Sequence, residues 1–305
     1  MIKSGKVFKA SDLSKNGEVF HKLNPPARLS VFGEPVAHSA SPSMQNAALR
    51  ENGHAFQYVR ILVSSKDLPQ SLLRLPDAGF IGTNLTVPHK QAALPLMDRV
   101  SKEAKLMGAI NTVAVQEGKL SGYNTDGPGF AAAVHDEFGI RLGDMRVMIL
   151  GGAGGAGRAI CVQCATAGCP VILVANRTAG KADVLASELR KALGANVSAV
   201  TMKHEDLMKT VPTVDLVVNA TTLGMRETDP SPLPDDLLHC DQYVYDTVYS
   251  GGLSNLRRQA DSAGAKNANG FSMLLHQGAL AYEIWFGKPA PLETMRTGLK
   301  GASED

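Results

Sequence analysis

The stretch Val147-Met148-Ile149-Leu150-Gly151-Gly152-Ala153-Gly154-Gly155-Ala156-Gly157-Arg158-Ala159-Ile160 decides how the chain is read. Four apolar residues run into a burst of glycines, and the glycines run into residues at helical spacing. That is the pattern of a buried strand, a tight turn and a helix start. Gly152, Gly154 and Gly157 fit G-x-G-x-x-G in register with the end of the strand. The first glycine makes the turn, the second lets backbone approach a pyrophosphate, and the third packs helix against strand. Amides at the helix start, aided by the dipole, then favour phosphate.

Downstream, strand and helix alternate. Strands are predicted over 147–150, 171–175, 197–200, 214–218 and 243–247, and helices over 157–167, 179–193, 251–262, 271–286 and 291–299. This is the signature of a doubly wound parallel sheet. The second strand of the unit ends Asn176-Arg177-Thr178, with no Asp or Glu where an NAD site would place one. Arg177 instead offers a planar cationic fork suited to the 2′-phosphate of NADP.

Upstream, Arg28–Gly33 reads as a strand, and Ser41 before Pro42 as an N-cap with proline in the first turn. Strands are also expected over 55–63 and 80–87, helices over 41–51, 67–75, 88–97, 101–107 and 130–138, and a hairpin around Glu117-Gly118. Ser39 and Ser41 cluster at a strand tip, where an α/β sheet presents ligands. Lys90 falls in a first helical turn, where a cation opposes the dipole. Asp126 stands where a helix cap is usual. Residues 1–26, polar and without periodicity, read as a short and at best partly ordered extension.

At 305 residues, 44% hydrophobic, with a formal charge of +2, the chain has the composition of a globular protein of two domains. Its cations are scattered, which leaves no footprint for nucleic acid. No apolar run approaches a membrane span, and the start lacks the apolar core of a signal peptide, so the cytoplasm is the expected location. Cys161, Cys164, Cys169 and Cys240 make no disulfide framework. The Cys161-x-x-Cys164 pair lies within a helix, with no second pair at zinc spacing, so it reads as small buried residues and no metal is expected.

These residues resemble the shikimate dehydrogenase family, within the shikimate/quinate dehydrogenases. The matches run from Leu29 to Trp285: Val31-Phe32-Gly33 with Pro35, Ser39-Ala40-Ser41-Pro42, Asn84-Leu85-Thr86-Val87-Pro88-His89-Lys90 and Gly108-Ala109-Ile110-Asn111-Thr112. Next come Asn124-Thr125-Asp126-Gly127, the glycine turn, Asn176-Arg177-Thr178, Asn219-Ala220-Thr221 with Gly224-Met225, and Tyr245-Asp246 with Tyr249. Gly270 with Met273-Leu274 and Gln277 completes the series.

The resemblance implies an α/β fold: an N-terminal substrate domain, a Rossmann-type NADP domain, and C-terminal helices that return to the first domain. In residue numbers these are an extension 1–26, a substrate domain 27–127, an NADP domain 128–269 and C-terminal helices 270–305. It implies NADPH-dependent, reversible reduction of 3-dehydroshikimate to shikimate, a step of chorismate and aromatic amino acid biosynthesis, by a monomer or homodimer. Lys90 and Asp126 match the catalytic pair. Ser39, Ser41, Thr86, Asn111, Asp126, Tyr249 and Gln277 match substrate-binding positions. Gly152, Ala153, Gly154, Gly155, Ala156, Asn176, Arg177, Thr178, Thr247 and Gly270 match positions that line the NADP site.

The chain departs from the family at Gly151, an extra glycine where an apolar residue is usual. It departs also at Ser250–Ser254, which lacks the customary proline and threonine, and at His89, where an aromatic is common. Two alternatives are a broader quinate/shikimate dehydrogenase using NAD and a non-catalytic NADP-binding regulator. Arg177 speaks against the first, and retention of both Lys90 and Asp126 against the second.

Overall fold

The computed structural model describes residues 6–249 and 252–301. The chain divides into two compact units: one runs to Thr125 and resumes at Leu275, the other is Asp126–Leu274.

The first unit is a seven-stranded sheet of β1 (Val7–Lys9), β2 (Ala27–Gly33), β3 (Gln57–Leu62), β4 (Gly82–Leu85), β5 (Arg99–Val100), β6 (Thr112–Gln116) and β7 (Lys119–Tyr123), in the order β1-β3-β2-β4-β6-β7-β5. The β1, β3, β2 and β4 neighbours pair in parallel, whereas β6 is antiparallel to both β4 and β7. Its helices are α1 (Glu18–His21), α2 (Ser41–Glu51), α3 (Leu68–Leu73), α4 (His89–Ala92) and α5 (Lys102–Met107). The β6–β7 turn is the expected two-residue hairpin, Glu117 and Gly118 both having positive φ (54° and 73°).

The second unit opens with α6 (Asp126–Phe138). It carries β8 (Arg146–Leu150), α7 (Gly155–Ala167), β9 (Val171–Ala175), α8 (Ala179–Leu193), β10 (Val197–Val200), α9 (His204–Thr210), β11 (Leu216–Asn219), β12 (Tyr243–Asp246), α10 (Asn255–Ser262) and β13 (Lys266–Asn269). Its six strands are all parallel, in the order β10-β9-β8-β11-β12-β13. Counted from β8, this is the doubly wound order 3-2-1-4-5-6, whose direction reverses between β8 and β11. The division between units falls within α11 (Phe271–Phe286), and α12 (Leu292–Gly301) packs on α2. Gly278 of α11 lies so close to α2 that a Cβ there would come within 2.1 Å of Met44.

Several expectations are corrected. Residues 7–21 are no loose extension: β1 pairs with β3, and Phe8 and Phe20 are buried with ring centroids 5.0 Å apart. Residues 1–5, part of that expected extension, lie outside the described residues, as do Ser250 and Gly251, where a helix and a departure from the family pattern were read. Helix α2 is capped by Ala40, with Ser41 already helical and no side-chain cap. The helix expected over 88–97 is the single turn α4, broken before Leu94-Pro95. Asp126 is the first residue of α6, four positions before the expected start at Phe130. Strands β1, β5 and β13 were not anticipated.

Candidate active site

In the first unit, the expected substrate residues Ser39, Ser41, Thr86 and Asn111 lie where β2 and β4 end and β6 begins, whereas Asp126 and Tyr249 belong to the second unit. Backbone pairing fixes them there. Leu85 N–H donates to the Asn111 carbonyl at 2.8 Å, and Asn111 N–H to that of Tyr123 at 3.1 Å. The Ser41 N–H lies 3.4 Å from Ser39 Oγ, which joins the two serines at the start of α2. Thr86 follows β4, its N–H donating to Phe32 of β2 at 2.9 Å. A Cβ on Gly33 would lie 2.4 Å from Thr86 Cγ2, so this glycine is what lets Thr86 sit where it does. Gly33→Ala should therefore raise KM for the substrate several-fold while leaving cofactor affinity unchanged. Titration of both ligands against this variant checks the separation.

Asn111 is buried and its amide is saturated. Its Oδ1 accepts from the Thr125 N–H at 2.8 Å and from Thr112 Oγ1 at 3.0 Å. Its Nδ2 donates to Thr125 Oγ1 at 2.9 Å and lies 3.5 Å from Gln277 Oε1. Asn111 and Gln277, distant in sequence, are thus brought together. The same bonds clamp Thr125, immediately before Asp126. Asp126 itself is buried, the first residue of the 13-residue helix α6.

Lys90 is half-buried in α4. A one-turn helix has too little dipole to oppose a cation, so the expected conflict does not arise. Its backbone is held from two sides: Lys90 carbonyl accepts from Ile110 N–H at 2.7 Å, and the neighbouring His89 ring lies 2.8 Å from the Val63 carbonyl. A carbonyl only accepts, so His89 Nε2 carries the proton. Burial pushes the His89 pKa down, against the raising influence of that hydrogen bond, and favours a neutral ring. His89, which stands where the family commonly has an aromatic, is a peg that seats α4 against the end of β3.

In the second unit, the glycine turn lies at the point where the strand order reverses. Gly151 takes the left-handed conformation at φ +78°, so the turn's strained position falls on the extra glycine and not on Gly152. A Cβ on Gly151 would meet Thr221 Cγ2 at 2.7 Å, and one on Gly157 would meet the Gly151 carbonyl at 2.4 Å. The Gly151 N–H donates to Ala175 at 2.7 Å, tying the turn to the strand end that leads into Asn176-Arg177-Thr178. Gly154 is the N-cap of α7, and a Cβ on Gly155 would meet nothing within 4 Å. The exposed Gly154–Gly155 backbone is therefore an open cradle at a helix N-terminus, fitted to a pyrophosphate. Asn176 Nδ2 donates to the Thr178 carbonyl at 3.1 Å, shaping the loop that leaves Arg177 exposed.

On the other side of the reversal, Asn219 joins the loops after β11 and β12. Its Nδ2 donates to Asp246 Oδ1 at 2.9 Å and its Oδ1 accepts from Thr221 Oγ1 at 2.7 Å. Burial raises the Asp246 pKa, opposed by hydrogen bonds from Ser254, Val248 and Asn219. Thr247 N–H donates to Asn219 at 2.9 Å, and a Cβ on Gly270 would lie 2.0 Å from the Thr247 carbonyl oxygen. No larger residue fits at Gly270 without moving backbone. Tyr249 is 44% exposed. Cys161 and Cys164 are fully buried, and burial pushes the Cys161 thiol up to about 12. Among the described residues no cluster suited to a metal occurs, and no helix is long and apolar enough to cross a membrane.

Three sequence-family profiles match: the shikimate dehydrogenase substrate binding domain over residues 31–113, shikimate / quinate 5-dehydrogenase over 132–225, and the shikimate 5'-dehydrogenase C-terminal domain over 270–297. The shikimate dehydrogenase (NADP(+)) of Methanopyrus kandleri is 39% identical over 270 residues, covering 88% of this chain and 93% of that protein. A crystal structure of shikimate 5-dehydrogenase from Thermus thermophilus, in complex with NADP(H) and shikimate, superposes with a TM-score of 0.81. It is 38% identical and covers 90% of this chain and 99% of that one. Quinate dehydrogenase from Corynebacterium glutamicum in complex with NAD gives a TM-score of 0.80 at 30% identity, covering 90% and 98%.

Proposed function

This chain belongs to the shikimate dehydrogenase family, and from that premise we propose that it catalyses the reversible, NADPH-dependent reduction of 3-dehydroshikimate to shikimate. The observations that carry the reading are the polar cluster of the first unit and, in the second, the glycine cradle with Arg177. The reaction places the enzyme in chorismate and aromatic amino acid biosynthesis. A cytoplasmic monomer or homodimer, with shikimate or 3-dehydroshikimate as its partner and no nucleic acid, is the setting we assign it.

NADP, when bound, supplies or accepts the hydride. Gly152 to Ala156 hold its pyrophosphate, Asn176, Arg177 and Thr178 its adenosine phosphate, and Thr247 and Gly270 complete the lining. Ser39, Ser41, Thr86, Asn111, Gln277 and Tyr249 bind the polyhydroxylated acid; neutral donors and acceptors suit its ring hydroxyls. The carboxylate goes to the serines, because they stand at the positive end of the 11-residue helix α2. Lys90 and Asp126 then serve the reacting carbon. As negative charge develops on the carbonyl oxygen, the Lys90 ammonium stabilises it and passes a proton from Nζ. In oxidation the neutral amine takes that proton back. Asp126 holds the ammonium and a substrate hydroxyl in register.

Arg177 favours NADP over the NAD of a quinate dehydrogenase. Initial rates with shikimate and quinate against both cofactors test this, and faster turnover of quinate with NAD would overturn it. Arg177→Ala should weaken NADPH roughly tenfold to a hundredfold, the worth of charge-assisted bonds to one phosphate, and leave NADH unchanged. Comparison of the two dissociation constants reads that effect.

A further inference from the structure

Arg60 is a half-buried cation on β3 with an unusual allegiance. Its Nε and Nη2 both donate to one atom, the Ser39 carbonyl oxygen, at 2.9 and 2.6 Å. Its backbone is fixed between two strands, with Val31 as its register partner on β2 and Val7 on β1. Among the described residues no carboxylate pairs with it. Burial lowers its pKa, and beside it stands Tyr58, a fully buried phenol whose own pKa burial raises. The Tyr58 hydroxyl donates to Asn84 Oδ1 at 2.8 Å, which keeps the ring on the sheet beside Arg60 and in its neutral form.

A charge taken partly out of water without a counter-ion is costly, and an anion placed nearby relieves the cost. The guanidinium holds the backbone of Ser39, and Ser39 and Ser41 open the helix whose positive end adds to the same field. Fork and helix end together give the serine end of the cluster a positive field that suits an anion. Lys90, the cation of the reacting carbon, is committed elsewhere.

We propose that Arg60 is a positioning residue that makes this site select a carboxylate: it fixes Ser39 and supplies the positive field in which the substrate's carboxylate is bound. The proposal rests on the assignment of shikimate as substrate and deepens it. A purely structural role, tying the Ser39 loop to the sheet, predicts that loss of Arg60 harms acidic and neutral substrates alike. A field-setting role predicts that only the acid suffers.

The test compares shikimate with its methyl ester, which keeps the ring hydroxyls and removes the charge. Wild-type oxidation of shikimate with NADP+ is measured first; if it is absent, the assignment of function fails, not the role of Arg60. With Arg60→Gln, which can still donate to the Ser39 carbonyl, KM for shikimate should rise about tenfold, as for one unit charge removed several ångströms away. KM for the ester should stay within twofold, and kcat for both should hold. Arg60→Lys, which keeps the charge, should retain most of the preference for the acid, and it carries the test if the glutamine variant does not fold. Equal losses for acid and ester, or an unchanged KM for shikimate, would overturn the proposal.

Discussion

Lys90→Ala is expected to bind NADPH with wild-type affinity and yet lose a hundredfold to ten-thousandfold in kcat, about the range for removal of a positioned acid–base group. The variant should fold. Lys90 is half-buried on a one-turn helix whose seat is built by backbone bonds and by the His89 ring, none of which uses the lysine side chain. KM for shikimate should change far less than kcat, because the ammonium acts most strongly on charge that develops only in the transition state. Cofactor fluorescence and single-turnover rates check the two halves separately. Turnover near the wild-type value would remove Lys90 from the mechanism.

Gly154→Asp is expected to give the opposite pattern. A Cβ at this position meets only the Gly151 carbonyl, at 3.3 Å, and the residue is exposed, so the fold has little reason to fail. The new carboxylate, however, stands at the amide cradle of α7, where a pyrophosphate would lie. Like charges brought together in this way cost several kcal/mol, so NADPH affinity should fall by about a hundredfold or more. Thermal unfolding should shift by only a few degrees. A large fall in Tm would mean that the glycine serves the fold and not the ligand.

The glycine turn and the strands around it were legible because each is an uninterrupted apolar run closed by glycines or a polar turn, as in Val147–Leu150 and Val171–Ala175. The strand order follows from that alternation. Edge elements were not legible. β13, Lys266–Asn269, has a single apolar residue in four, and β1 is three residues long; both exist because a neighbouring strand offers them its open backbone. The single turn of α4 was overestimated because the apolar pattern runs on through Leu94, and sequence periodicity does not show that Pro95 has taken the chain into a tighter turn.

Within the candidate site, the polar residue types were readable one by one, but their support was not. Thr125 clamped by Asn111, His89 bonded to Val63, and Asp246 bound by Asn219 are contacts across 14 to 27 positions, set by strand register. No local pattern announces them. Gly151 stands out in the sequence only as an extra glycine, and in the fold it is the left-handed corner of the turn. Arg60 carried no signal at all, because a lone arginine in a strand looks the same whether or not it has a carboxylate partner.

Transfer of a hydride between NADPH and the ring carbon of shikimate is the step on which everything above depends. Reduction of 3-dehydroshikimate with NADPH deuterated at the transferring position tests it directly, with mass spectrometry of the product. The predicted product is shikimate carrying a single deuterium at the carbinol carbon. Unlabelled product, or no consumption of the cofactor, would contradict it.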